Sequence, residues 1–300
     1  MERIKQMNLE KLKYFVDLVN TSSFTKTGLK NHIAQTSVSQ QIRSLENYFD
    51  VKLIDRNVTP IEPTVAGKLL YKEALKVLQQ YSLLEEKMND YKTGQKKIRI
   101  EYTSIIDLNF LIQLTEELKN KTELTFDLEK VQLKDVSAGL KDGLYDLAIS
   151  FDSEFEDEKL LQTLPLYQGT YSALVGKDHP LYKKDSISSS ELYQYPLVML
   201  SPETIGKSYH LMLKHAQEDG FVPEIKKTTD DIETEIFLLR TQQLVGFFPD
   251  NYPLPTSHTD LKLLPIKDTN HKFKIVFAYR KDFDRSLLSQ VIKTIHSIKL

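Results

Sequence analysis

The sequence predicts an N-terminal winged helix-turn-helix, one long helix after it, and a larger α/β remainder. Three observations carry this. Apolar residues recur at helical spacing through the first fifty positions and leave two short helices joined by a tight turn. An apolar seam whose spacings alternate four and three runs from Leu70 to Tyr91. From Lys97 onward, β-prone runs alternate with helical ones.

Composition narrows the class. With 40% hydrophobic and 27% charged residues the 300-residue chain reads as a globular protein of two or three domains. It contains no cysteine, which excludes disulfides, thiolate zinc sites and cysteine nucleophiles. The longest apolar runs, such as LVGFF at 244–248, are too short to span a bilayer, and MERIKQMNLEKLKYF lacks a signal-peptide core. A cytoplasmic chain with no membrane partner is the economical reading. Net charge is −2, with nine Lys/Arg against seven Asp/Glu in residues 1–63, so any case for DNA rests on geometry rather than bulk charge.

Leu9, Leu12, Phe15, Val16 and Val19 mark a first amphipathic helix from about Asn8 to Asn20. Thr21-Ser22-Ser23 ends it and caps a second, roughly Thr25 to Asn31. In AQTSVSQQIRSLE and the residues after it, Val38, Ile42, Leu45 and Phe49 form one apolar stripe. At about 100° per residue the opposite direction holds Thr36, Gln40, Arg43 and Asn47, with Ser37 and Ser44 beside them. An ordinary solvated face is rich in Lys and Glu; this one offers amide, hydroxyl and guanidinium groups suited to base edges and phosphates. Taken alone, a Ser/Gln-rich solvated face fits equally well. VKLIDRNVTPIEPT, with turn signals at Asn57 and Pro60, fits a two-stranded wing with Arg56 and Asn57 near its tip. That context favours DNA. Thr64 then caps a helix running to about Tyr91, and its seam of Leu70, Ala74, Val77, Tyr81, Leu84 and Met88 predicts a dimerisation helix.

KIRIEYT and ELTFDLEKV read as strands flanking an apolar helix, and GLYDLAISF as a strand buried on both faces. This alternation predicts a largely parallel sheet. TYSALVG, PLVML, SYHLMLKHAQE, DIETEIFLLR, VGFFP, FKIVFAYR and a closing helix from Ser286 continue the pattern.

The segment from Met7 through the long helix resembles the DNA-binding half of LysR-type transcriptional regulators. The landmarks are Phe15, Ser23-Phe24-Thr25, Ser39, Gln41-Ile42-Arg43, Leu45-Glu46, Leu53, Asp55-Arg56, Pro63-Thr64 and Ala66-Gly67. More loosely, DGLYDLAIS, DHPLY and FFP resemble that family's later motifs. Departures include Thr27-Gly28 where two alanines are usual, with Gly mid-helix costing about 1 kcal/mol. Leu29 and Asn31 look exchanged relative to the usual core position, and Ala34 stands where a capping Ser is common. TQQLVGFFP lacks the customary paired glycines.

The resemblance implies residues 1–63 as the winged helix-turn-helix, 64–92 as linker and dimerisation helix, and 93–300 as an effector-binding domain. That domain would be two α/β lobes like periplasmic solute-binding proteins of type 2, about 95–164 with 269–300, and 165–268. It implies DNA contacts from Thr25, Gln35, Thr36, Ser37, Ser39, Gln40, Arg43, Arg56 and Asn57. It implies no cofactor beyond a small-molecule effector between the lobes, held by Tyr102, Thr103, Ser104, Ile105, Ser150, Phe151, Ser201, Thr204, Phe247 and Phe248. Strand ends and helix N-termini make a carboxylate or other anion the expected effector. Promoter DNA, a second copy in a dimer or tetramer, and RNA polymerase are the implied partners.

Two other readings stay open at this stage. One is a solute-binding sensor module that never touches DNA. The other is an α/β enzyme using the inter-lobe cleft, although GxSxG, HExxH, P-loop and GxGxxG motifs are absent. His210 and His215 are five apart and do not share a helix face as an i, i+4 metal pair does.

Overall fold

The structure, a computed structural model, describes residues 7–94, 96–104, 107–254 and 259–298. The chain divides into two compact units, Met1–Gly94 and Gln95–Leu300.

In the first unit, α1 (Leu9–Thr21), α2 (Phe24–Lys30) and α3 (Gln35–Phe49) precede a wing of β1 (Ile54–Asp55) and β2 (Glu62–Pro63) and the long α4 (Val65–Thr93). Caps set the starts: Asn8 accepts from the Lys11 amide, Ser23 from Lys26, and Thr64 from Gly67. Leu12, Phe15, Leu18, Val38, Ile42 and Leu45 are each 1% exposed or less. At about 1.5–3 kcal/mol per buried side chain, they hold the three short helices together. Leu18 belongs to this core although the predicted stripe omitted it, while Val19 is only half-buried. Phe49 is a correction to the stripe. It is 39% exposed, because α3 ends at Asp50 (φ 54°) and the last ring projects beyond the core, edge-on to Tyr48.

The departures in α2 have a local cause. A Cβ on Gly28 would lie 2.7 Å from the Ile33 carbonyl oxygen, so the turn approaches α2 more closely than Ala permits. Leu29 points outward, 73% exposed, while Asn31 turns inward and donates to Asp17 Oδ2 at 2.8 Å. Lys30 pairs with the other oxygen of buried Asp17 at 2.6 Å. A polar anchor to α1 thus replaces an apolar one, and α2 stops at Lys30.

The second unit runs β3 (Lys96–Tyr102), α5 (Leu108–Lys121), β4 (Leu124–Lys130), α6 (Val136–Lys141), β5 (Leu147–Phe151) and the sixteen-residue β6 (Leu161–Gly176). Next come β7 (Ile187–Ser188), α7 (Ser189–Leu192), β8 (Leu197–Leu200), α8 (Pro202–Ile205), α9 (Lys207–Glu218), β9 (Ile225–Thr229) and α10 (Ile232–Thr241). It closes with β10 (Gly246–Pro249), β11 (Leu261–Lys267), β12 (Lys272–Arg280) and α11 (Arg285–Ser297).

The main sheet has the order β4-β3-β5-β12-β6-β11-β7, with β10 also paired to β6. The expected largely parallel sheet is corrected here. β3 pairs parallel with β4 and β5, but β12 runs antiparallel to both β5 and β6, and β6 antiparallel to β10 and β11. The sheet is therefore mixed. The cause is β6, which continues unbroken through 164–165: its first half pairs with β12 and its second with β10 and β11. A core around Ile100, Leu114, Ile149 and Phe277 lies under one half, and others around Val175, Leu192 and Leu264 and around Leu174, Val198 and Leu244 under the other.

Candidate functional sites

On α3, the side opposite Val38, Ile42 and Leu45 presents Gln35, Thr36, Gln40 and Arg43 as exposed side chains, with Ser37 and Ser39 half-buried and Thr25 of α2 exposed. The helix starts at Ala34 without a side-chain cap. Ser44 is taken up by Lys11, whose Nζ donates to its hydroxyl at 3.1 Å.

Arg56 is not at a free wing tip. Its guanidinium donates to Glu46 Oε2 at 3.1 Å and lies over the Phe24 ring, 5.3 Å from the centroid. Glu46, 4% exposed, also accepts from the Leu53 amide at 3.1 Å. One buried carboxylate on α3 thereby fixes the base of the wing and, through Arg56, the start of α2. The tip keeps Asn57, whose amide donates to Asp55 Oδ1 in a turn.

The predicted seam of α4 divides. Ala74 is 1% exposed and belongs to the core of the first unit, with Leu70 packed against it, so both are spent within their own domain. Val77, Tyr81, Leu84 and Met88 are 43, 42, 55 and 59% exposed. This is a continuous apolar stripe of the kind monomeric helices rarely leave open.

The second unit holds a cavity of about 360 Å³. Of the residues expected to hold an effector, Thr103, Ser104, Phe151, Thr204, Phe247 and Phe248 line it. Tyr102, Ser150 and Ser201 are not on its wall. Ser150 is fully buried with its hydroxyl 2.8 Å from that of Thr103, and Ser201 donates to Asp230 Oδ1 at 2.7 Å. Tyr102 packs against the first apolar core. Ile105 lies outside the described residues.

Sequence reasoning missed the acids. Asp230, Asp231, Glu233 and Glu235 all line the cavity, opposed there by Lys130. Asp231 caps α10, accepting from the Thr234 amide at 2.6 Å. Glu154, from the turn after β5, reaches the start of α9 and accepts from the Ser208 amide at 3.0 Å and its hydroxyl at 2.9 Å. Gly206 makes this possible, since a Cβ there would sit 2.9 Å from Glu154 Oε2. Burial raises the pKa of Glu154 against those bonds, and burial alone pushes Glu235 up to about 8. The signal available was the run DDIETE at 230–235, where acids at the start of a helix read as ordinary capping.

A winged helix-turn-helix with an open polar recognition face, joined in one chain to an α/β unit with a ligand-sized cavity, defines a ligand-responsive DNA-binding regulator. Residues 9–68 match the family of bacterial regulatory helix-turn-helix proteins of the lysR family, and residues 92–296 match the LysR substrate binding domain. The chain belongs to the LysR family of transcriptional regulators. It is 25% identical over 277 residues to the HTH-type transcriptional regulator CatR of Pseudomonas putida, covering 92% of this chain and 93% of that one. The crystal structure of CbnR, a LysR family transcriptional regulator, superposes with a TM-score of 0.74 over 97% of this chain and 99% of the other, at 16% identity. That of full-length CbnR complexed with target DNA gives 0.72 over the same shares, at 17% identity. These relatives are transcriptional regulators, not enzymes, and the protein is a regulator with a DNA-binding and an effector-binding part. Among the described residues no helix is long and apolar enough to cross a membrane.

Proposed function

We propose that Gln35, Thr36, Ser37 and Gln40 read base edges, while Ser39 and Arg43 hold phosphates, Thr25 flanks them from α2 and Asn57 touches the backbone from the wing. The observation that carries this is the polar, exposed side of α3 over a fully buried stripe. Glutamine can pair bidentately with adenine, discriminating by about 1–3 kcal/mol per base. CbnR, crystallised with its target DNA, supports the same use of the corresponding part here. Arg56, paired with Glu46, also serves as scaffold for the wing. Residues 1–63, 64–92 and 93–300 act as reader, coupling helix and sensor, in the cytoplasm, where promoter DNA is available.

Two copies would pair through the exposed part of the α4 seam and present two reading helices to a two-fold operator. A small molecule in the cavity acts through different affinity for two arrangements of that assembly. RNA polymerase would then be the downstream partner.

A mobility-shift titration against promoter fragments at several salt concentrations tests the reader. Affinity should fall steeply with salt, and Arg43→Ala should weaken all duplexes and reduce the salt slope by about one. Gln40→Ala should instead alter sequence preference. Equal losses on operator and random duplex in both variants would reject this division of labour. A thermal-shift screen of small molecules, followed by footprinting with each hit, tests the sensor.

A further inference from the structure

We propose that the cavity of the second unit takes a small molecule carrying a protonated amine on an apolar body, with Glu235 receiving the charge. This rests on the reading of the cavity as the effector site and names the class of compound it selects.

Two of the positions that would favour an anion are already filled by the protein. Helix N-termini attract negative charge because their amides are unpaired. Here α10 is capped by Asp231 and α9 by Glu154. These two helix starts therefore carry an internal carboxylate. On the wall, Asp230, Asp231, Glu233 and Glu235 face Lys130, the one Lys or Arg among the described lining residues. Even with Glu235 neutral, three exposed carboxylates outnumber one ammonium there, which weakly disfavours an incoming carboxylate.

Glu235 supplies the second, independent observation. It is 3% exposed yet lines the cavity. Among the described residues nothing hydrogen-bonds its carboxyl group, and its upward shift has burial as its only cause. A Cβ on Gly246 would lie 3.1 Å from both Glu235 Oε1 and a Phe248 ring carbon, so the glycine gives the carboxyl group and the ring adjoining places. Phe248 and Tyr252 meet edge to face at 4.9 Å. Such rings favour a cation over their faces and an apolar body against them.

Burial favours the protonated form of Glu235. An ammonium group entering beside it stabilises the carboxylate, and the displaced proton leaves to solvent. The other charged groups facing the cavity, Lys130, Asp230, Asp231 and Glu233, are exposed and contribute less to this exchange.

The test uses the full chain and three probes of matched shape: phenethylamine, phenylacetate and 2-phenylethanol. Phenethylamine should raise the unfolding temperature most. Calorimetry in buffers of different ionisation enthalpy should show about one proton released per amine bound near pH 7. Glu235→Gln, which keeps the side-chain shape, should weaken the amine about ten- to a hundredfold and abolish proton release. A stronger response to phenylacetate overturns the amine assignment and leaves the effector reading intact. Amine binding that ignores Glu235→Gln, or that releases no proton, overturns it too. Silence of all three probes also overturns it, and the effector reading is then decided by the screen coupled to footprinting.

Discussion

Glu101 of β3 has both carboxyl oxygens buried and without a hydrogen-bond partner among the described residues. Burial, then the charges of Glu129 and Asp135, push its pKa to about 9. The native state therefore keeps a proton that the unfolded chain gives up near 4.5. Stability should fall as pH rises from about 4.5 towards 9, by at most about 1.4 kcal/mol per pH unit for one group. Glu235 acts with the same sign over a window ending near 8. Urea midpoints at pH 6 and 8.5 should differ less in Glu101→Gln than in the wild type; equal differences would mean that Glu101 is ionised in the native state. Gly28 gives a second case. Alanine normally gains about 1 kcal/mol in a helix interior, but here its Cβ would press on the Ile33 carbonyl oxygen, backbone that cannot swing aside. Overpacking of this kind costs about 1–3 kcal/mol, so Gly28→Ala should lower the denaturation midpoint, and a raised midpoint would show that the turn relaxes freely.

At the scale of elements, α4 carries one seam that is buried at one end and exposed along the rest. Ala74 is closed in by its own domain, whereas Val77, Tyr81, Leu84 and Met88 remain open. Leu84→Glu should therefore shift sedimentation towards monomer with little loss of domain stability, while Ala74→Leu should destabilise the first unit by overpacking it. If Leu84→Glu leaves the sedimentation coefficient unchanged, the copies associate through another surface. Periodicity revealed this seam because spacing along one helix is local information, and it revealed the α3 face for the same reason. It could not reveal where α1 covers the seam. Nor could it place Arg56 on Glu46, ten residues away and reached only once the wing folds back. Alternation told of β5 as a buried strand but not of its neighbour β12, which returns from over a hundred residues later and runs antiparallel. Ser150 and Phe151 were equal candidates in sequence. The register buries Ser150 and leaves Phe151 on the cavity wall.

For the whole molecule, regulation requires that reader and sensor share a free energy. If a ligand of the second unit changes operator affinity by some factor, operator DNA must change the affinity for that ligand by the same factor. Typical couplings are about 1–3 kcal/mol, a change of roughly five- to 150-fold, which both titrations can resolve. The ligand's Kd should therefore be measured with and without saturating operator, and the operator's Kd with and without saturating ligand, in one buffer because the DNA arm depends strongly on salt. Matching ratios would establish that cavity and reading face act as one system. Leu84→Glu should then weaken both ratios together, since a monomer has no second head to reposition. A ligand that binds tightly yet leaves operator affinity unaltered would show equal affinity for both arrangements, and such a compound shifts nothing however well it fits.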